Sequence, residues 1–251
     1  MSLCLKGKIA LVTGATGQLG RVMVRTLASY GADIAVHYNK NEAMAISIVE
    51  DIANMGRRAI SMQADITNEV SVNQMRDIIF DKLGYVDIVV NNAVSQYQWT
   101  SILGQNIEDF ADQFETCIMQ SVLTAKAFLP AMAAKKSGRF IGINTECSTL
   151  CNANSGAYAA AKRGMDGLYR TLAKEVGKNN ITVNQVAPGW TISDRDRKNG
   201  TEINEEYTKN IPLGRRGTDQ EIANVVLFLA SELSSFMTGV CIPVSGGAVM
   251  V

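Results

Sequence analysis

The sequence predicts an α/β protein: one domain built on a doubly wound parallel sheet, with helices on both faces. Three observations carry this. Apolar runs of strand length alternate with helical patterns nearly to the C-terminus. No proline-rich linker, low-complexity tract or charge block divides the 251 residues. And Gly14, Gly17 and Gly20 fall between the first apolar run and the first helical pattern, in Val12-Thr13-Gly14-Ala15-Thr16-Gly17-Gln18-Leu19-Gly20.

Lys8–Val12 reads as the first strand and leads through the glycines into a helix over Leu19–Tyr30. Asp33–Tyr38 is the next strand and Glu42–Met55 the next helix. Arg58–Gln63 and Val86–Val90 are strands flanking a helix over Glu69–Leu83. A long helix is expected through Phe114–Lys136, with Pro130 bending it or ending one piece. Arg139–Asn144 is a strand, Ser155–Val176 a helix, Ile181–Val186 a strand, Asp219–Ser231 a helix and Val240–Val244 the last strand. Strand, helix, strand, repeated, implies crossovers between parallel strands. Two segments break the alternation: Ser95–Ile107, polar and aromatic, and Ser193–Asn210, densely charged. Both follow strands, so both are candidate pocket walls, the second a candidate lid.

Composition narrows the function. With 24 basic and 24 acidic side chains the formal net charge is zero. A phosphate-backbone binder should carry a basic excess, so nucleic acid is excluded as a partner. No run reads as a membrane span, and the N-terminus lacks an export signal's apolar core. Five cysteines, an odd count, then read as reduced thiols in a cytoplasmic protein. Cys147 and Cys151 are four apart, but the single histidine, His37, is far away in sequence, so no metal is expected.

A loop from a buried parallel strand into a helix aims that helix's N-terminus at solvent above the sheet edge. Free N–H groups and the positive dipole end there suit a phosphate. Glycines let the chain turn tightly and let backbone approach the phosphates. The loop therefore reads as a dinucleotide site. The second strand ends in His37-Tyr38-Asn39-Lys40 with no acidic residue to hold ribose hydroxyls. Asn39 and Lys40, with Arg21 nearby in sequence, would instead meet a 2′-phosphate, which favours NADP(H) over NAD(H).

Tyr158 and Lys162 lie four apart on a predicted helix, on one face and one turn apart. A free phenol has a pKa of about 10. An ammonium roughly 5 Å away favours the phenolate by around 3 kcal/mol at an effective dielectric of about 20. That would bring the phenol toward the range of general acid–base catalysis.

With the glycine loop, Asn91-Asn92-Ala93, Tyr158-x-x-x-Lys162, Val186-Ala187-Pro188-Gly189, Ile211-Pro212-Leu213-Gly214-Arg215 and Ser245-Gly246-Gly247 in this order, the chain resembles the compact single-domain branch of the short-chain dehydrogenase/reductase family from about Lys6 onward. The ending and size resemble its 3-oxoacyl carrier-protein reductases. The resemblance implies a seven-stranded Rossmann sheet, NAD(P)-dependent hydride transfer between nicotinamide and a ketone or secondary alcohol, and a homotetramer or homodimer. It places Tyr158 as general acid/base, Lys162 beside it and on the nicotinamide ribose, and Thr145 on the substrate oxygen. It places Thr13, Gly14, Gly17, Gln18, Leu19 and Gly20 on the cofactor's phosphates and ribose. Asp65 and Ile66 would lie along adenine, Asn92 and Ala93 beside its ribose, and Pro188, Gly189 and Thr191 at nicotinamide. It pairs the helices Phe114–Lys136 and Ser155–Val176 with their mates across a subunit interface.

Four positions depart from the family pattern. Gln18 stands where glycine is usual; Gly17 is expected to take over the permissive backbone position while Gln18 turns its side chain aside. Thr145 replaces serine and keeps the hydroxyl. Cys117 replaces the catalytic asparagine, and a thiol is a poor hydrogen-bond substitute for an amide. Val94 replaces glycine beside the cofactor. Cys117 and Val94 motivate a rival reading, a cofactor-binding sensor or assembly protein with little catalysis. For substrate, Glu146, Cys147, Cys151, Trp190, Trp99 and Tyr97 are candidate pocket residues. A carboxylate at Glu146 would hold a polar or cationic substrate or face away. Carrier-protein reductases often have basic docking residues at two places that here read Pro130 and Asn179. A small ketone or alcohol therefore ranks above a carrier-bound substrate.

Overall fold

The computed structural model describes residues 3–96 and 98–250. Its strands and helices alternate as β1 (Ile9–Val12), α1 (Gln18–Ser29), β2 (Asp33–Tyr38), α2 (Glu42–Asn54), β3 (Ala59–Gln63), α3 (Glu69–Lys82) and β4 (Ile88–Asn91). There follow α4 (Ile107–Phe114), α5 (Gln120–Lys135), β5 (Gly138–Ile143), a single turn α6 (Cys147–Leu150), α7 (Gly156–Val176) and β6 (Ile181–Pro188). The chain then runs through two short helices, α8 (Asp194–Asn199) and α9 (Glu205–Thr208), to α10 (Asp219–Ala230) and β7 (Cys241–Val244). The seven strands form one parallel sheet in the order β3-β2-β1-β4-β5-β6-β7. The order reverses between β1 and β4, and a crevice forms at the carboxyl ends there.

Alternation along the strands sends side chains to two separate cores. Ala10 and Val12 of β1, with Ile34, Val36 and Val90, pack against Met23, Leu27, Ile48 and Val226 of α1, α2 and α10. Ile9 and Leu11, with Val89 and Phe140, pack against Met75, Phe128, Met165 and Tyr169 of α3, α5 and α7. Capping side chains mark the starts of α2, α3 and α10. Asn41 and Asn68 accept from Met44 and Ser71 amides, and Thr218 forms a reciprocal capping box with Glu221.

One expected element differs. The helix placed over Phe114–Lys136 starts at Ile107, where Glu108 and Asp109 in the first turn favour a helix N-terminus. It widens into one π-turn at Glu115–Met119, then continues as α5 straight through Pro130 to Lys135. Together α4, the π-turn and α5 are long and apolar enough to cross a membrane by length and composition, contrary to the sequence reading. Half of that apolar window is buried inside the fold, so sheet packing accounts for the apolarity.

Candidate active site

The carboxyl ends of the central strands open on a cavity of about 740 Å³. At its floor Gly14 stands at φ 61°, the left-handed region that favours glycine. Its N–H donates to His37 Nδ1 at 2.9 Å, and His37 Nε2 bonds the Ala64 carbonyl at 3.0 Å. The ring is thus neutral with its proton on Nε2. Burial lowers the His37 pKa, and the Ala64 carbonyl and Asp65 only partly oppose it. A Cβ on Gly20 would come within 2.3 Å of the Gly14 carbonyl oxygen, so α1 closes on the loop only with glycine there. Gly17 has φ −73°, which any residue adopts. The expectation that Gly17 supplies permissive backbone is therefore corrected: that position is Gly14. The first turn of α1 holds no acidic residue, which leaves its N-terminus open to an anion.

Gly14, Gly17, Gln18 and Leu19 line the cavity as expected. The Gln18 side chain does turn aside: Nε2 donates to the Ile192 carbonyl at 2.7 Å. Three expectations are corrected. Gly20 packs under the loop and does not line the cavity. Thr13 is buried; its hydroxyl donates to Gln120 Oε1 at 3.1 Å and accepts from the Asn92 and Ala93 amides. It ties β1 to the loop after β4 and does not line the cavity. Arg21 is paired with Asp194 and lines no part of the cavity.

At the far end Asn39 and Lys40 line the cavity. The carboxylate nearest in sequence, Glu42, accepts from the Tyr38 hydroxyl at 3.2 Å and is not among the lining residues. Asp65 and Ile66 lie along the same wall. Asp65 forms a turn with Thr67, whose amide donates at 2.9 Å; the cap of α3 is Asn68. Asn92 Nδ2 donates to the Thr13 and Gly14 carbonyls, and Ala93 and Val94 complete the rim. Val94 is partly exposed there and does not fill the space.

Tyr158 and Lys162 sit one turn apart on α7, both on the cavity wall with Thr145, Pro188, Gly189 and Thr191. The Thr145 hydroxyl is close enough to Tyr158 to act on its pKa. Lys162 is buried, and its Nζ donates to the Ile143 carbonyl at 2.6 Å and lies 5.7 Å from the Tyr158 ring centre. An ammonium has three donors, so two remain for hydroxyls in the cavity. The phenol is not activated as the sequence suggested. Burial raises the Tyr158 pKa well above its ordinary value; Cys117 and Cys147 add to this and the Thr145 hydroxyl opposes it. Burial is the largest of these effects.

A second cavity of about 480 Å³ adjoins the first, and Thr145, Tyr158, Gly189 and Thr191 line both. Glu146, Cys147, Trp190 and Trp99 line it as expected, with Asn152 and Tyr207. Trp99 stands edge-on to Tyr158 at 6.4 Å, and Trp190 edge-on to Tyr207 at 5.4 Å. The Tyr207 hydroxyl donates to Glu146 Oε1 at 2.9 Å and accepts from the Trp190 amide at 2.9 Å. Burial raises the Glu146 pKa, and the Tyr207 hydroxyl and the Trp190 amide oppose that. The wall between α8 and α10 is tied down by arginines. Arg216, its side chain fully buried, donates to Asp196 and to the Thr191 carbonyl at 2.8 Å each and stacks on Trp190 at 4.3 Å. Arg197 grips Asp219 through two 2.9 Å bonds.

Two further expectations are corrected. Cys151 is exposed, in a left-handed turn, and lines neither cavity; Asn152 takes its place. Cys117, fully buried within the π-turn, also lines neither, and its carbonyl accepts from the Ser121 hydroxyl at 3.0 Å. The π-turn instead brings Thr116 to the cavity wall, where its hydroxyl meets that of Ser95 at 3.2 Å. Tyr97 lies outside the described residues. The sequence reading missed Tyr207 although it sits in the flagged Ser193–Asn210 segment. It also missed His37 as a loop support, since only tertiary contact brings it under Gly14.

A family model described as enoyl-(acyl carrier protein) reductase matches residues 14–249. The chain is 37% identical to the 3-oxoacyl-[acyl-carrier-protein] reductase FabG of Escherichia coli, over 98% of this chain and 99% of that protein. It is 34% identical to the FabG of Aquifex aeolicus over the same shares of the two chains. Among solved structures it resembles a 7α-hydroxysteroid dehydrogenase complexed with NADH and 7-oxo glycochenodeoxycholic acid, at TM-score 0.90 and 31% identity, covering 99% of this chain and 97% of that one. It also resembles a blue fluorescent protein from a metagenomic library in complex with NADPH, at TM-score 0.89 and 29% identity, covering 98% and 99%.

Proposed function

The chain belongs to the short-chain dehydrogenase/reductase family and is an NAD(P)-dependent oxidoreductase of ketones and secondary alcohols; from that premise we propose that it works as an NADPH-dependent ketone reductase with Tyr158 as proton donor. The observation that carries this is that Tyr158 and Thr145 line both cavities where they adjoin, with Lys162 5.7 Å from the Tyr158 ring centre. The larger cavity has the size, the helix N-terminus and the polar far end that a dinucleotide needs. Bound there, a reduced nicotinamide supplies hydride. Thr145 and Tyr158 hold the carbonyl oxygen between two hydroxyls, and the Tyr158 proton passes to that oxygen as negative charge develops on it. A raised phenol pKa keeps that proton in place until then. Buried Lys162 offers its two remaining protons to ribose hydroxyls and stabilises the phenolate left behind.

NADPH over NADH is the finer part of this reading. Lys40 and Asn39 support it, together with the engagement of Glu42 by Tyr38. Arg21 does not, being held by Asp194. A homo-oligomer also belongs to it: Ile102, Leu103, Ile107 and Phe114 are exposed around α4, and a Cβ on Gly167 of α7 would meet nothing within 4 Å. A second reading, 3-oxoacyl carrier-protein reduction, is favoured by the full-length identity with FabG proteins. The deciding experiment follows NADPH oxidation at 340 nm with a panel of small ketones and a 3-oxoacyl thioester. Turnover lost in Tyr158→Phe, with NADPH binding retained, supports the reductase. Binding with no Tyr158-dependent turnover favours the sensor reading.

A further inference from the structure

Glu146 has no obvious place in hydride or proton transfer. It is only 5% exposed and lies on the wall of the second cavity. One carboxylate oxygen, Oε1, accepts from Tyr207; the other, Oε2, is buried without a hydrogen-bond partner. A Cβ on Gly189 would come within 2.9 Å of both Oε2 and the Tyr207 hydroxyl, so a glycine is what lets these groups meet. Among the described residues lining this cavity, Glu146 is the only carboxylate and none is lysine or arginine. The other large lining side chains are aromatic: Trp99, Tyr158, Trp190 and Tyr207. The nearby guanidinium, Arg216, is committed to Asp196 and to one face of Trp190.

A buried carboxylate with one oxygen unsatisfied is costly until a donor reaches it. Four aromatic side chains lining a cavity with a single negative charge suit a cation better than a neutral donor, because aromatic rings and a carboxylate both attract positive charge. We propose that this cavity takes a ketone bearing a protonated amine, with the ammonium against Glu146 and the aromatic rings and the carbonyl against Tyr158 and Thr145. The proposal rests on the reductase reading above and specifies its substrate class. In the reaction the carbonyl carbon takes hydride from reduced nicotinamide and the oxygen takes the Tyr158 proton. The C–N bond and the ammonium are unchanged, so the product is an amino alcohol with oxidised cofactor.

The test is a set of matched ketones assayed with NADPH at pH 7: 4-aminocyclohexanone against 4-methylcyclohexanone, and aminoacetone against 2-butanone, with a 3-oxoacyl thioester alongside. The expected result is that kcat/KM favours the amine of at least one pair by about tenfold or more. Glu146→Gln, which keeps the shape and the bond to Tyr207, should reduce that ratio at least fivefold. The wild-type ratio needs no variant, so a poorly folding Glu146→Gln leaves the test intact. Equal or better use of the neutral partners overturns the proposal, as does an amine preference unchanged in Glu146→Gln. Turnover of the thioester alone overturns it while leaving the reductase standing. No turnover of any carbonyl removes the reductase reading and the proposal together.

Discussion

Gln18 Nε2 donates to the carbonyl of Ile192 at 2.7 Å, joining residues 174 positions apart across the mouth of the larger cavity. The glycine turn at the start of α1 and the base of the Ser193–Asn210 segment are thereby one hydrogen bond apart. Gln18→Gly should keep the fold, since the bond is partly buried and worth about 1 kcal/mol. It should raise the KM for NADPH severalfold and speed proteolytic nicking between residues 193 and 210. An unchanged nicking rate would show that the arginines alone hold the segment.

Gly20 allows no side chain. Its Cβ would lie 2.3 Å from the Gly14 carbonyl and 2.8 Å from Ala15 Cα, both backbone atoms that cannot swing away. Gly20→Ala should destabilise by about 2–3 kcal/mol through overpacking. Because the loop must move to relieve the clash, NADPH affinity should fall as well. Chemical denaturation and cofactor titration of the same variant separate the two effects.

Arg216 should matter for stability out of proportion to its distance from Tyr158. Removing it leaves Asp196 without its guanidinium and uncovers one face of Trp190. Arg216→Ala should cost about 2 kcal/mol, below the scale for a fully buried ion pair because Asp196 is partly exposed. Arg216→Lys should recover little, because one ammonium cannot reach Trp190, Thr191, Thr201 and Asp196 at once. Thermal unfolding of the two variants checks both statements.

His37 sets a pH limit. Its pKa in the folded chain lies below its ordinary 6.5, chiefly through burial. The unfolded chain therefore takes up a proton first as pH falls. The contribution is fully present above about 6.5 and is lost as pH drops from there through the folded value. The unfolding free energy of wild type relative to His37→Asn should decline on acidification below 6.5, by at most about 1.4 kcal/mol per pH unit. Urea melts of both proteins at pH 7.5 and 5.5 measure it, and a constant difference would remove the neutral-ring assignment.

Lys40 should discriminate between cofactors. Lys40→Ala should raise the KM for NADPH about tenfold, the worth of one charge-assisted hydrogen bond, while changing the KM for NADH little. Equal losses for both would move the 2′-phosphate contact elsewhere.

Much of this arrangement is legible in the sequence, because local rules and tertiary packing agree along most of the chain. All seven strands lie within two residues of their predicted bounds, since buried parallel strands read as unbroken apolar runs. Most of the glycine loop and the Tyr158/Lys162 turn come together as the spacing implies. The misreadings have physical causes. Thr13 is polar at the end of a strand, which suits a ligand contact, but it is drawn into a buried network by Gln120, distant in sequence. Arg21 is an unassigned cation near the loop until Asp194 claims it. Tyr158 and Lys162 are adjacent as expected, yet pair spacing carries no information about desolvation, which decides the phenol's pKa. Cys151 and Asn152 differ by one position, and a left-handed backbone at Cys151 determines which faces the cavity.

The wide turn at Glu115–Met119 carries a lesson for anyone engineering this chain. A regular helix advances 100° per residue, so the extra residue acts as a ratchet tooth that offsets α4 from α5 by about that angle. Deleting any one residue of the five would restore an ideal α-helix and satisfy every local preference. It would also swivel everything upstream by roughly a quarter turn, carrying Thr116 off the wall and aiming Ile107 and Phe114 in a new direction. A shortening that looks like an improvement on paper would thus dismantle a cavity wall and an exposed apolar stripe in one stroke.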